Sequence, residues 1–243
     1  MTVKDLPDYT REMVLRYTGG FIGLEELAVR LGFPGPWTLG GNVVVMDQFD
    51  TEETDWVITP TGTGASGARS TRQKFTGDWS LKMVVPDVSG AEVTCQRWLH
   101  FPGLGKYGLF TRIGWDEDCQ KITLNAYFGD GSSTFQAYID YNLTTKLLRL
   151  LHPTGPYANI ATGLGLGEST HTFYPILLTV DLDTNKYDKL YFADVEYDIS
   201  AYTLYPGSVS ALPYSMIQVA AIRTGAGAFN AYLDAAIMLK NVP

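Results

Sequence analysis

Six side chains on two neighbouring runs are the first that could do chemistry. In KITLNAYF, Thr123, Asn125 and Tyr127 fall on one parity, and in TFQAYIDY so do Gln136, Tyr138 and Asp140. Hydroxyl, amide, phenol and carboxylate groups in this mixture can take up a sugar, because aromatic faces stack on pyranose C–H groups while amides and carboxylates receive hydroxyls. The same mixture serves a contact with another protein subunit, or a solvated sheet face with no ligand. All three readings stay open at this level.

A second set is acidic. Asp194, Glu196 and Asp198 alternate and so share a face, and paired carboxylates are the apparatus of glycoside hydrolysis. They follow a hairpin signal in a segment that reads as a sheet edge, where charge discourages the addition of a foreign strand. That edge role is the expectation. Asp116, Glu117 and Asp118 read as a solvated acidic turn, and Asn142-Leu143-Thr144 as a turn rather than a glycosylation site. GLGLG at 163–167 lacks the strand before and helix after that a dinucleotide loop requires, so it reads as a connection. The histidines, His100, His152 and His171, are far apart, with neither H-E-x-x-H nor G-x-S-x-G around them. With no catalytic set assembled, the chain is expected not to be an enzyme.

The elements that must position these groups follow from a period of two. Ile122, Leu124, Ala126 and Phe128 alternate, as do Phe135, Ala137, Ile139 and Tyr141, and again Ile176, Leu178, Val180 and Leu182, which is what half-buried strands need. Further strands are expected at 43–49, 79–85, 91–101, 107–115, 216–224 and 229–239, with the last two joined by a Gly-Ala-Gly turn and a polar surface loop over 59–70. About ten to twelve strands at this spacing predict an all-β fold: a two-sheet antiparallel jelly-roll sandwich.

Residues 1–41 read as an N-terminal arm and 42–243 as the sandwich domain. Within the arm, Leu24, Leu27, Ala28 and Leu31 stand at i, i+3, i+4 and i+7 before Gly32, the pattern of a two-turn helix. So short a helix must pack its stripe on something, either its own sandwich or a neighbouring subunit.

The whole-chain numbers exclude some partners. A length of 243 residues suits one sizeable β core, and a formal charge of −8 with no basic run opposes nucleic acid. No window of about 18 apolar residues predicts a membrane span, and MTVKDLPDYTREMVLRY has no apolar stretch of a secretion signal. Cys95 falls in phase with Val93 and Leu99 and is expected to be buried; Cys119, in WDEDCQ, is expected to be exposed, so the two are not expected to pair.

Four segments, VVVMDQFDTEETDW, TGDWSLKM, HTFYPILLTVDLDTNKYDKLYFADVEYDIS and FNAYLDAAIMLKN, resemble the concanavalin-like and carbohydrate-binding-module jelly rolls, in which an Asp-x-Phe-acid opening strand lies beside a Tyr-x-Asp closing strand. The likeness spans residues 43–241. Several such modules hold a structural calcium between first and last strands, and the resemblance implies Asp47, Asp50 and Asp234 as its carboxylates here, with carbonyls and water completing the shell. The other reading is that these residues cap strands or face solvent. The E-x-D-x-x-E strand motif of jelly-roll glucanases is absent from the sequence. The leaderless arm TREMVLRYTGGFIGLEELAVRLG followed by a jelly roll also resembles virion proteins of tailed bacteriophages. These resemblances imply a non-catalytic structural protein of a larger assembly, a phage virion, as capsid decoration or tail-associated module. Its partners would be other virion subunits or further copies of itself, and no cofactor beyond the calcium is implied. The alternative is a carbohydrate-binding module with a glycan partner.

Overall fold

A computed structural model of the chain describes residues 42–47, 49, 55–75, 78–101, 103–167, 169–208 and 212–242. The expected arm over 1–41, with Leu24, Leu27, Ala28 and Leu31, lies outside the described residues, as does Asp50. In chain order the strands are β1 (Asn42–Asp47), β2 (Val57–Thr61), β3 (Ser66–Ser70), β4 (Ser80–Val85), β5 (Glu92–Leu99), β6 (Lys106–Trp115), β7 (Lys121–Gly129) and β8 (Thr134–Asn142). They continue as β9 (Leu147–His152), β10 (Gly155–Thr162), β11 (Ser169–Asp181), β12 (Lys186–Phe192), β13 (Val195–Asp198), β14 (Tyr205–Pro206), β15 (Tyr214–Ile222) and β16 (Phe229–Lys240).

They form two antiparallel sheets of eight strands. Sheet A runs β13-β12-β11-β6-β16-β4-β3, with β1 beside the second half of β16; sheet B runs β10-β9-β8-β7-β15-β5-β2, with β14 beside β8. The two-sheet sandwich expected from alternation is what forms. The strand total exceeds the expectation because polar stretches also pair: the segment 59–70, read as a loop, contributes most of β2 and all of β3. Both are short strands at sheet edges with no fully buried residue, where backbone hydrogen bonding needs no apolar alternation.

The core lies between the sheets. Leu109, Ile113 and Trp115 of β6, Leu178 and Val180 of β11 and Met238 of β16 meet Leu124 and Phe128 of β7, Ile139 of β8 and Val219 of β15. Aromatic pairs cross the gap, Tyr107 with Phe128 at 5.1 Å and Tyr141 with Phe192 at 5.1 Å between ring centroids. Tyr187 of β12 reaches from sheet A to sheet B, where its hydroxyl donates to the Leu151 carbonyl at 2.8 Å and accepts the Tyr138 N–H at 3.0 Å. A buried phenol satisfied in this way ties the layers together with its ring as well as its hydrogen bonds.

Cys119 is buried rather than exposed, as is Cys95, and the two are not joined by a disulfide. The acidic residues before Cys119 form the turn, and the chain then dives inward at Cys119 and Gln120. The Gln120 carboxamide holds the next crossing: Oε1 accepts the Thr224 N–H at 2.5 Å, and Nε2 donates to the Ala226 carbonyl at 2.6 Å. The Gly-Ala-Gly turn therefore carries the chain from β15 in sheet B to β16 in sheet A.

Strands β6 and β16 are buried on both parities. Their second parity builds another apolar cluster on the outer side of sheet A: Phe110, Leu177, Ala235, Ile237, Leu239 and Val242, with Met46 and Tyr191 against it. All sixteen strands belong to the two sheets, so no third layer of described strand lies on either outer face.

Candidate functional site on the outer face of sheet B

Antiparallel register places facing residues on the same side of a sheet, so the outer face of sheet B can be read as rows across the strands. One row is Gln136, Tyr127, Met216, Trp98; the next is Tyr138, Asn125, Gln218, Gln96; the third is Arg149, Asp140, Thr123, Ala220, Thr94. The six residues singled out in the sequence thus share one face on adjacent strands. Their opposite parity, Ile122 to Phe128 and Ala137 to Tyr141, is what packs inward and fixes their direction.

The polar groups are interlocked. Gln136 Nε2 donates to Asn125 Oδ1 at 3.2 Å and to the Tyr127 hydroxyl at 3.0 Å, and Asn125 Nδ2 donates to Gln218 Oε1 at 2.9 Å. Asn125 is only 3% exposed although it points away from the core, because these neighbours wall it in. The amide orientations are therefore held in place, and the described contacts leave the Gln218 amide nitrogen and the Tyr127 O–H hydrogen to donate outward.

Beside this network stands a charged cluster. Asp140, fully buried, accepts two hydrogen bonds from Arg149, at 2.8 Å and 2.7 Å, and lies 3.1 Å from Lys121 Nζ. The bidentate geometry fixes the guanidinium plane, which lies over the Tyr157 ring at 4.6 Å. Tyr157 in turn packs on Tyr138 at 5.8 Å. Burial, then the nearby Asp140 charge, pushes the Tyr138 hydroxyl far above the ordinary phenol range, so it stays protonated. The bond to Asp140 strengthens the hold of Arg149 on its proton.

Gln218, Arg149 and Tyr157 were not singled out in the sequence. Two of them carried a signal: Gln218 is the lone amide in SMIQVAAI, and Arg149 the lone charge in LLRLL. Both were legible as outward-facing; that they adjoin Asn125 and Asp140 depended on strand order.

Of the carboxylates implied for calcium, Asp50 lies outside the described residues, and Asp47 and Asp234 already have protein partners. Asp47 accepts the Trp56 indole N–H at 2.9 Å, the Phe49 N–H at 2.8 Å and Arg97 at 2.8 Å, so a guanidinium already sits where a cation would. Asp234, fully buried at a bulge in β16, accepts the Phe75 N–H at 2.8 Å. Among the described residues no group of three or more His, Cys, Asp or Glu side chains is arranged to hold a metal. On β13, Glu196 pairs with Lys189 at 2.9 Å and Asp198 accepts the Ser200 N–H at 3.0 Å. The strand is an edge of sheet A, in line with the edge reading of its charges.

No protein-family model matches this sequence, and no curated protein matches it. Solved structures do match in fold. An endo-β-1,4-glucuronan lyase from the fungus Trichoderma reesei is similar at a TM-score of 0.58 and 12% identity, over 82% of this chain and 96% of that one. A carbohydrate esterase from the Shiga toxin-encoding bacteriophage phi24B is similar at 0.53 and 10%, over 83% and 100%. Lectin I-B4 from Griffonia simplicifolia, in a metal-free form, is similar at 0.50 and 9%, over 82% and 100%. Likenesses at such identities establish architecture, and the architecture of this chain is the concanavalin-like jelly roll.

Proposed function

We propose that this protein binds carbohydrate on the outer face of sheet B. The observation that carries the reading is the interlocked Gln136–Asn125–Gln218 network with Tyr127 and Tyr138 beside it: fixed amides and phenols on a sheet face over which no described strand lies. A glycan hydroxyl both donates and accepts, so amide pairs of fixed orientation match it at little further ordering cost. Tyr157 and Trp98, 38% and 53% exposed, stand at either side of the network as ring surfaces for the C–H faces of a sugar. The neighbours named as a glucuronan lyase, a carbohydrate esterase and a lectin act on or belong with carbohydrates, which supports the same reading.

Binding without turnover is the form proposed. Asp140 is occupied by two cations and Tyr138 is held protonated, so these groups are suited to contact rather than to proton abstraction. The test is a glycan array followed by calorimetry on Asn125→Ala and Gln136→Ala. Binding by the wild type that both variants weaken at least tenfold supports the site; binding that neither alters overturns it. Release of new reducing ends or unsaturated products from a bound polysaccharide would overturn the non-catalytic part.

The expected phage setting draws on the phage-borne esterase of similar fold. Immunoblotting of particles purified from cells that make this chain tests it: presence in the particles supports a virion component, and presence only in the particle-free fraction overturns it.

A further inference from the structure

The outer face of sheet B ends, on the β5 side, in a cavity of about 770 Å³ lined by Asp55, Arg97, Trp98, Leu212, Pro213 and Tyr214 among others. Trp98 belongs to the same row as Gln136, Tyr127 and Met216, so the cavity continues the polar face. Resting on the carbohydrate reading above, we propose that this cavity is a terminal subsite that takes a neutral pyranose and disfavours a uronate.

The aromatic wall is built to a plan visible in the backbone. Tyr214 stands opposite Gly129 in the β7–β15 register. A Cβ at position 129 would lie 2.7 Å and 2.9 Å from two carbons of the Tyr214 ring, so the missing side chain is what lets the ring lie against the strand. Tyr214 then props Trp98, with ring centroids 5.2 Å apart and planes tilted by 45°. The indole is thereby held with 53% of its surface exposed, a rigid platform that loses little freedom when a ring stacks on it.

The opposite wall is charged. The Arg97 guanidinium is shared between Asp47 at 2.8 Å and Asp55 at 2.7 Å. Asp55 in the lining and Asp47 outside it share this one guanidinium, so the three groups together carry one negative charge. The Asp55 side chain is 79% exposed, so a carboxylate whose position Arg97 fixes faces the cavity and can accept sugar hydroxyls. A second carboxylate, on a uronate, would meet like charge there. The β2–β5 pairing ends at Val57 opposite Gln96. From Tyr157 on β10 to Trp98 on β5 the face crosses five strand intervals, about 24 Å at the usual spacing, so a glycan filling both ends is an oligomer rather than a single sugar.

The experiment measures affinities of neutral linear gluco-, manno- and galacto-oligosaccharides of two to six units, and of the matching uronate oligomers, by calorimetry. For the wild type, affinity is expected to rise with length. Trp98→Ala should remove that rise, a loss of about tenfold for the longest oligomers, while leaving the disaccharide unchanged. Gly129→Ala, which displaces Tyr214 and leaves Trp98 in the sequence, should give a smaller loss of the same kind. Asp55→Asn should improve uronate binding while the neutral series stays within twofold. Unchanged thermal midpoints for Trp98→Ala and Asp55→Asn confirm that these two exposed side chains are not needed for folding. Wild-type binding with no length dependence, or a Trp98→Ala variant equal to wild type at every length, overturns the subsite and leaves the carbohydrate face standing. Binding abolished by Trp98→Ala and untouched by Asn125→Ala supports the cavity and overturns the face. A wild type that binds none of these oligomers at millimolar concentration overturns both.

Discussion

The two outer faces of the sandwich are made by the same alternation and come out opposite. On sheet A the outward parity of β6 and β16 includes Phe110, Ala235, Ile237 and Leu239 at 0–1% exposure, with Arg112, 4% exposed, facing Ala235 and lying over the Phe75 ring. On sheet B the outward parity of β7, β8 and β15 is Thr123, Asn125, Gln136, Asp140 and Gln218, held by amide bonds and a charge cluster. The first face gains stability from apolar area removed from water, roughly 25 cal/mol per Å². The second gains about 1 kcal/mol for each hydrogen bond made within the protein, and its groups keep donors and ring faces that a ligand can use. One face contributes chiefly to the fold, and the other is the face on which binding is proposed.

The comparison breaks first if the apolar face is less well packed than its burial implies. Phe110→Ala should lower the unfolding free energy by about 3–5 kcal/mol, measured by denaturant titration. A loss under about 1 kcal/mol would mean that this face relaxes like a surface. Next in size is Asp140→Asn on the polar face, which leaves Arg149 and Lys121 without their shared countercharge. The expected loss is about 2–3 kcal/mol, below that of a fully buried pair because both cations retain contact with water; an unchanged midpoint would show the cluster to be solvated. Asn125→Ala should destabilise by about 1–2 kcal/mol and should weaken glycan binding more than it weakens the fold. Equal loss of both would make the network a packing device.

The smallest effect at neutral pH concerns the layer between the faces. Burial pushes the Cys95 thiol up to about 12, and burial with the Asp183 charge does the same for Tyr107. Both groups keep their protons in the folded chain at pH values where the unfolded chain releases them, upward from ordinary values of 9.0 and 10.0. Between pH 9 and 12 the folded state thus binds more protons, and stability falls as pH rises. Thermal midpoints should be flat from neutral pH to pH 9 and decline above it, less steeply in Cys95→Ala; an identical decline in that variant would remove Cys95 from the account.

Much of this was legible residue by residue. Alternation in KITLNAYF and TFQAYIDY announced two strands and which side chains face away from the core, because side-chain direction in a strand is a local property. The polar stretch over 59–70 misled, since an edge strand needs only backbone partners. Cys119 misled because acidic neighbours mark a turn but do not say where the chain goes after it.

What the sequence determined by itself was the period, the sandwich class and the chemical character of each strand face, all properties carried within a few consecutive residues. The tertiary structure alone decided which strands lie side by side. It set Gln218 against Asn125 across 93 positions, Arg97 against Asp47 across 50, and Tyr214 against Gly129. Backbone hydrogen bonds between strands carry no label of the residues they join, so pairing is settled only when the whole core closes.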